Sequence, residues 1–176
     1  HQQEKTPQKG WHAISQENET ADKLSVSLMY PILGLFALIV FLLEIEFTEQ
    51  RTDSNIEKAI QYAAVAFIQL FSSYYLISYI TKSIFKKYDT NRCNTYIIYL
   101  ISTTTLFYIV MTILSEYVKY ITPLSLYIIY IAWSGYKYIN PEADKTDTTF
   151  VLPISTMVLM TPLLISLLLR TLLTII

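Results

Sequence analysis

Five stretches without a charged side chain constrain this chain more than any other feature. They run 24–43, 59–81, 93–115, 120–136 and 148–169, and they are 17 to 23 residues long. A helix rises about 1.5 Å per residue, so about 20 mostly apolar residues cross a hydrocarbon core about 30 Å thick. All five fall within the workable range of about 17 to 25 residues. A soluble bundle of equal apolarity would scatter Lys and Glu along the outer face of each helix. These windows have no such face. The sequence predicts an all-α polytopic membrane protein, a five-transmembrane-helix bundle with a short N-terminal interfacial helix. The tail covers 1–23. The membrane domain covers 24–176, with spans near 24–43, 59–81, 93–115, 120–138 and 148–170.

The charges between the windows set the orientation. Lys5, Lys9, Lys23, Lys82, Lys86, Lys87, Arg92, Lys137 and Lys145 fall on one side, against Arg51, Lys58, Lys119 and Arg170 on the other. Cytoplasmic loops carry the Lys/Arg excess, so the N-terminus is expected in the cytoplasm and the C-terminus outside. Only residues 116–119 separate spans 3 and 4, which makes them an antiparallel pair. The fifteen tyrosines suit belts at the two membrane interfaces.

Local signals refine this frame. Trp11 and Ile14 are three apart and share a helix face, which fits an interfacial helix with Trp at headgroup depth. Pro31 removes one backbone hydrogen bond inside span 1 and predicts a kink. Span 2 embeds Gln61, Gln69, Ser72 and Ser73, which are expected to face the bundle and bond to a neighbouring helix. Ser102, Thr103, Thr104 and Thr105 form the most polar run in any span. Such hydroxyls bond back to the i−4 carbonyl, bond across to another helix, or line a polar path; the bond between helices is the expectation here. Gly135 in the fourth span permits close helix approach. Pro153 and Pro162 interrupt the fifth.

Several functions lack their residues. A net charge of −1 supplies no basic field for nucleic acid. Gly10, Gly34 and Gly135 are too far apart to form a phosphate-binding loop. His1 and His12 both lie in the tail, and Cys93 is the sole cysteine, so no metal or cofactor site is expected. Ionisable residues sit near span ends rather than at mid-bilayer: Glu44, Glu46, Glu116 and Arg170. There they reach water cheaply.

Three groups of residues resemble the Yip family, the Ypt/Rab-interacting type, in its compact prokaryotic form. One is Trp11-x-x-Ile14 with Glu17-Asn18 before span 1 and Pro31 early in it. Another is Tyr127-Ile-Ile-Tyr130-Ile-Ala-Trp133-Ser-Gly135. The third is the linker with Pro141 and Glu142 leading into a span that holds Pro162. The resemblance implies five helices, a cytoplasmic N-terminus and residence in the bacterial inner membrane. Eukaryotic relatives are associated with small GTPases through a longer N-terminal region. The 23-residue tail does not supply one, so a GTPase partner is not expected.

The expected function is that of a non-enzymatic membrane organiser or adaptor. Its partners would be membrane lipids, other membrane proteins or a second copy. Trp11, Ile14, Tyr130, Trp133 and Gly135 are the candidate contacts. The alternative is a small transporter, channel or lipid-moving protein. Its polar path would use Ser72, Ser73, Ser102, Thr103, Thr104, Thr105, Glu44, Glu116 and Arg170.

Overall fold

A computed structural model describes Trp11 and residues 20–46, 53–114, 122–142 and 145–175. Ile14, Glu116 and the predicted interfacial helix lie outside the described residues. Among the described residues every regular element is helical. We number them α1 (Ala21–Glu46), α2 (Asp53–Ile84), α3 (Thr90–Ile113), α4 (Thr122–Ile139) and α5 (Thr148–Ile175).

Each helix matches a charge-free window, and all five run beyond theirs at one end or both: α3 begins at Thr90 and α4 ends at Ile139. The windows mark what fits in hydrocarbon. Helices continue into the interfaces, where side chains such as Glu46 and Lys82 are exposed. Among the described residues four helices, α1, α2, α3 and α5, are long and apolar enough to cross a membrane. The shorter α4, with four Tyr, a Trp and Lys137 in 18 residues, falls outside that set.

Capping fixes several helix ends. Asp89 accepts the Arg92 backbone N–H at 2.8 Å and starts α3. Asp147 accepts the Thr149 N–H at 3.0 Å and starts α5. The first amide of α1, at Ala21, donates to the Asn91 side chain on α3 at 2.9 Å. These bonds satisfy donors that a helix N-terminus leaves open.

The kink expected at Pro31 takes a different form. Residues Ser25–Met29 make a π turn within α1. A proline ring clashes with the carbonyl four residues back, here that of Ser27, and widening the preceding turn relieves the clash. Ser25 ties the start of this turn by donating to the Asp22 carbonyl at 2.8 Å.

Helix α3 is the axis of the bundle. It touches all four other helices, and half of its apolar window is buried against 17% for α1. The rest form an open arc: α1 packs on α2, α2 on α5, and α5 on α4. Among the described residues α1 and α4 do not meet. Directions alternate. Phe36 of α1 stacks near Tyr108 of α3, whereas Tyr127 and Tyr136 of α4 lie beside Phe107 and Tyr88. The start of α1, the α2–α3 turn and the α4–α5 link therefore share one end, which we call the basic end. The last turns of α1, α3 and α5 lie at the opposite end.

Candidate functional site

Two constructions stand out at the basic end. The first is a seat for Trp11. The indole is buried at 6% exposure and lies against Tyr96, Tyr99 and Tyr138, with ring centroids 5.2, 5.7 and 5.8 Å away. Its floor is Gly135. A Cβ built there would lie 2.6 Å from Cζ2 and 2.8 Å from Nε1 of the indole, so only glycine leaves the space. Tyr96 clamps the wall by donating its hydroxyl to the Ala132 carbonyl at 2.6 Å.

This changes one expectation. Trp11 packs on α3 and α4, and the interfacial helix expected around it lies outside the described residues. Gly135 accommodates an indole rather than a neighbouring helix. Sequence reasoning assigned every tyrosine to an interface belt and missed the walls. Their available signal was Tyr96 and Tyr99, three apart on one face of α3 at the level of Gly135.

The second construction is a polar cluster beside an aromatic one. Asp147 accepts from Lys87 Nζ at 2.9 Å, from the Tyr88 hydroxyl at 2.9 Å, and from the Thr149 backbone and hydroxyl. The Tyr88 and Tyr136 hydroxyls are 3.0 Å apart. Beneath them Phe150 is fully buried among Phe85, Tyr88, Tyr96 and Tyr136. A cleft of about 270 Å³ opens here, lined by Lys87, Tyr88, Asp89, Tyr136, Ile139 and Asn140. The sequence signal for Asp147 was its place before Thr148, at the edge of a charge-free window.

Hydrogen bonds from Thr149, then from Lys87 and Tyr88, hold the Asp147 carboxyl well below the usual carboxylate range. The Asp147 partner pushes Lys87 above the usual lysine range. Burial, then the bond to Tyr136, pushes Tyr88 up. A depressed carboxyl contributes its full stabilisation above the unfolded value near about pH 3.9 and loses it as pH falls toward the folded value. A raised ammonium keeps its contribution below about pH 10.4 and loses it only as pH rises through the folded value. The pair is therefore intact throughout the neutral range. Asp147→Asn keeps a capping side chain but loses the charge, so it should flatten the fall in melting temperature below about pH 4. Asp147→Ala also removes the cap and should cost about 1 kcal/mol more. Thermal melts of detergent-purified protein across pH 3–8 measure both.

The residues of the predicted polar path are not brought together. Thr103, Thr104 and Thr105 donate to the Tyr99, Leu100 and Ile101 carbonyls, each at 2.8 Å. Ser73 likewise donates to the Gln69 carbonyl. These bonds lie within single helices rather than between them, because the i−4 carbonyl is the nearest acceptor. The Ser102 hydroxyl is buried without a partner among the described residues. Ser72 is half-buried on α2, and Glu44 is exposed near the end of α1. Arg170 lies over the Tyr62 ring, 5.7 Å from its centroid. Of the path residues, Arg170 alone lines the cleft of about 210 Å³ formed with Gln69, Tyr108, Thr112, Pro162 and Ser166.

The predicted contact residues Tyr130 and Trp133 point outward. With Tyr127 they form a stripe on α4, each between 42% and 49% exposed. The other face of α4, through Ile128, Ala132, Gly135, Tyr136 and Ile139, is buried. Among the described residues no group of three or more His, Cys, Asp or Glu side chains is arranged to hold a metal.

Fold and exposed surface together define a helical bundle of the integral membrane class, with several long apolar helices. No family model, curated protein or solved structure matches the chain.

Proposed function

We propose that this chain is a Yip-type, five-span protein of the bacterial inner membrane, with a cytoplasmic N-terminus. It acts as a non-enzymatic organiser or adaptor through lipid and protein contacts. The observation that carries this reading is α4. Its inner face is fully used by α3, α5 and Trp11, while its outer face presents Tyr127, Tyr130 and Trp133. Rigid aromatic side chains give large contact area at low entropic cost and favour interfaces. Alternating helix directions place the start of α1 at the basic end, which supports the orientation inferred from charge. The fourth span is then α4, whose tyrosines and Trp133 suit a helix that is half sheltered by neighbours.

The second reading, transport, draws on the cleft at Arg170. The self-bonded hydroxyls of α3 count against a polar route past them. Purified protein in liposomes should produce no protein-dependent ion flux or lipid flip. Flux that is lost in Thr103→Leu would overturn the organiser. In native membranes, the paired substitution Tyr130→Ala with Trp133→Ala should abolish recovery of a stoichiometric partner or second copy and leave the melting temperature unchanged. Recovery equal to that of the unaltered protein would also count against this reading.

A further inference from the structure

At the α2–α3 turn lies a slot of about 20 Å³, lined by Thr81, Lys82, Phe85, Lys86, Tyr88, Thr90, Cys93 and Asn94. The space suffices for about one water. Thr81 is 1% exposed, and its hydroxyl has no hydrogen-bond partner among the described residues. A threonine in a helix usually bonds to its own i−4 carbonyl, as three on α3 do, so an unmatched buried hydroxyl on this slot indicates a missing partner. Lys82 and Lys86 flank the mouth. Both are exposed, and neither pairs with a described residue. Lys87, by contrast, is committed to Asp147.

Thr90 opens α3, a helix of 24 residues whose N-terminal end carries partial positive charge. Asp89 satisfies the amide of Arg92. Two lysines and an unmatched hydroxyl thus border one slot on the basic end, beside the start of α3, whose first turn is already capped by Asp89. That slot sits where α2 leaves the hydrocarbon, since the charge-free window closes at Thr81.

We propose that this turn binds the phosphate of an anionic lipid headgroup. The phosphate sits at the mouth between Lys82 and Lys86, because the slot itself is too small for it. A single water in the slot relays the phosphate to Thr81. The proposal deepens the reading of the chain as a membrane organiser by naming its lipid class, and it rests on the chain being embedded in a bilayer.

The test uses the full chain in nanodiscs of zwitterionic phosphatidylcholine, with phosphatidylglycerol or cardiolipin titrated in. Melting temperature and native mass spectrometry report binding. Anionic lipid should raise the melting temperature and remain bound through purification. Lys82→Ala with Lys86→Ala should weaken this at least about tenfold, as expected for two cations beside a negative surface. Lys137→Ala with Lys145→Ala removes two cations from the same end away from the slot, and should leave the response intact. Thr81→Val should weaken the response several-fold without lowering the melting temperature in pure phosphatidylcholine, because it removes an unmatched hydroxyl.

Equal weakening by the two lysine pairs would overturn the site in favour of a diffuse surface effect. So would a full response in Thr81→Val. Inorganic phosphate at millimolar concentration should have no effect; a shift from phosphate alone would reassign the site to a soluble anion and overturn the lipid. A chain that failed to partition into nanodiscs at all would sink the membrane reading, a result distinct from an inserted chain indifferent to headgroup.

Discussion

Gly135→Val is expected to expel Trp11 from the bundle. The indole occupies the volume that any side chain at 135 would need, with Cζ2 and Nε1 both under 3 Å from a built Cβ. The ring cannot retreat, because Tyr96, Tyr99 and Tyr138 enclose it. Removing a buried Trp costs about 3–5 kcal/mol in soluble cores. In a bundle bathed by lipid the transfer share of that cost shrinks, but the lost packing contacts remain. The loss should therefore approach that of Trp11→Ala, and the two substitutions should not add, since both empty one seat. The chain has two tryptophans, so Trp133→Phe leaves Trp11 as the sole indole reporter. In that background Trp11 emission should be blue-shifted and shielded from aqueous quenchers. Gly135→Val should move it to the red and expose it. Unchanged emission and quenching would mean that the seat does not hold the indole.

The seat also shows where sequence reasoning stops. Helix existence was legible because one physical requirement, the exclusion of charge from hydrocarbon, writes itself into contiguous residues. The windows at 24–43, 59–81, 93–115, 120–136 and 148–169 each became a helix. Their ends were less legible. Asp53 and Lys82 are helical although charged, since helix propensity and hydrocarbon solubility are separate constraints. Contacts were the least legible. Trp11 meets Gly135 across 124 positions of sequence, and no periodicity in one helix encodes that meeting. The hydroxyl run illustrates the reverse case. Ser102, Thr103, Thr104 and Thr105 were expected to bond to another helix, with a polar route as the alternative, yet three of the four bond within α3. A hydroxyl carries its own acceptor one turn away, so its presence alone does not imply water.

Phe150→Ala should be the most damaging single truncation among the described residues of α5. Phe150 is fully buried, and its ring centroid lies 4.6 Å from Tyr88, 5.0 Å from Phe85, 5.9 Å from Tyr136 and 6.0 Å from Tyr96. Those partners belong to the α2–α3 turn, α4 and α3. One side chain therefore ties α5 to the α2–α3 turn, α3 and α4 at the basic end. Large-to-small changes at such sites cost about 3–5 kcal/mol, and each aromatic pair contributes about 0.5–1.5 kcal/mol beyond its area. Leu168, on the same helix, is 64% exposed, and Leu168→Ala should cost little. Phe150→Leu keeps most of the volume and should fall between them. Denaturant unfolding in detergent ranks the three. Cys93 gives an independent reading. It is 5% exposed and lines the slot with Phe85 and Tyr88, so loosening that pair should speed its maleimide labelling in Phe150→Ala and leave it slow in Leu168→Ala. The sign of that difference separates a local collapse of the basic end from general weakening of the bundle. If Phe150→Ala and Leu168→Ala cost the same and Cys93 stays protected in both, the helices are held at this end by their backbones and caps, and the aromatic cluster is filler.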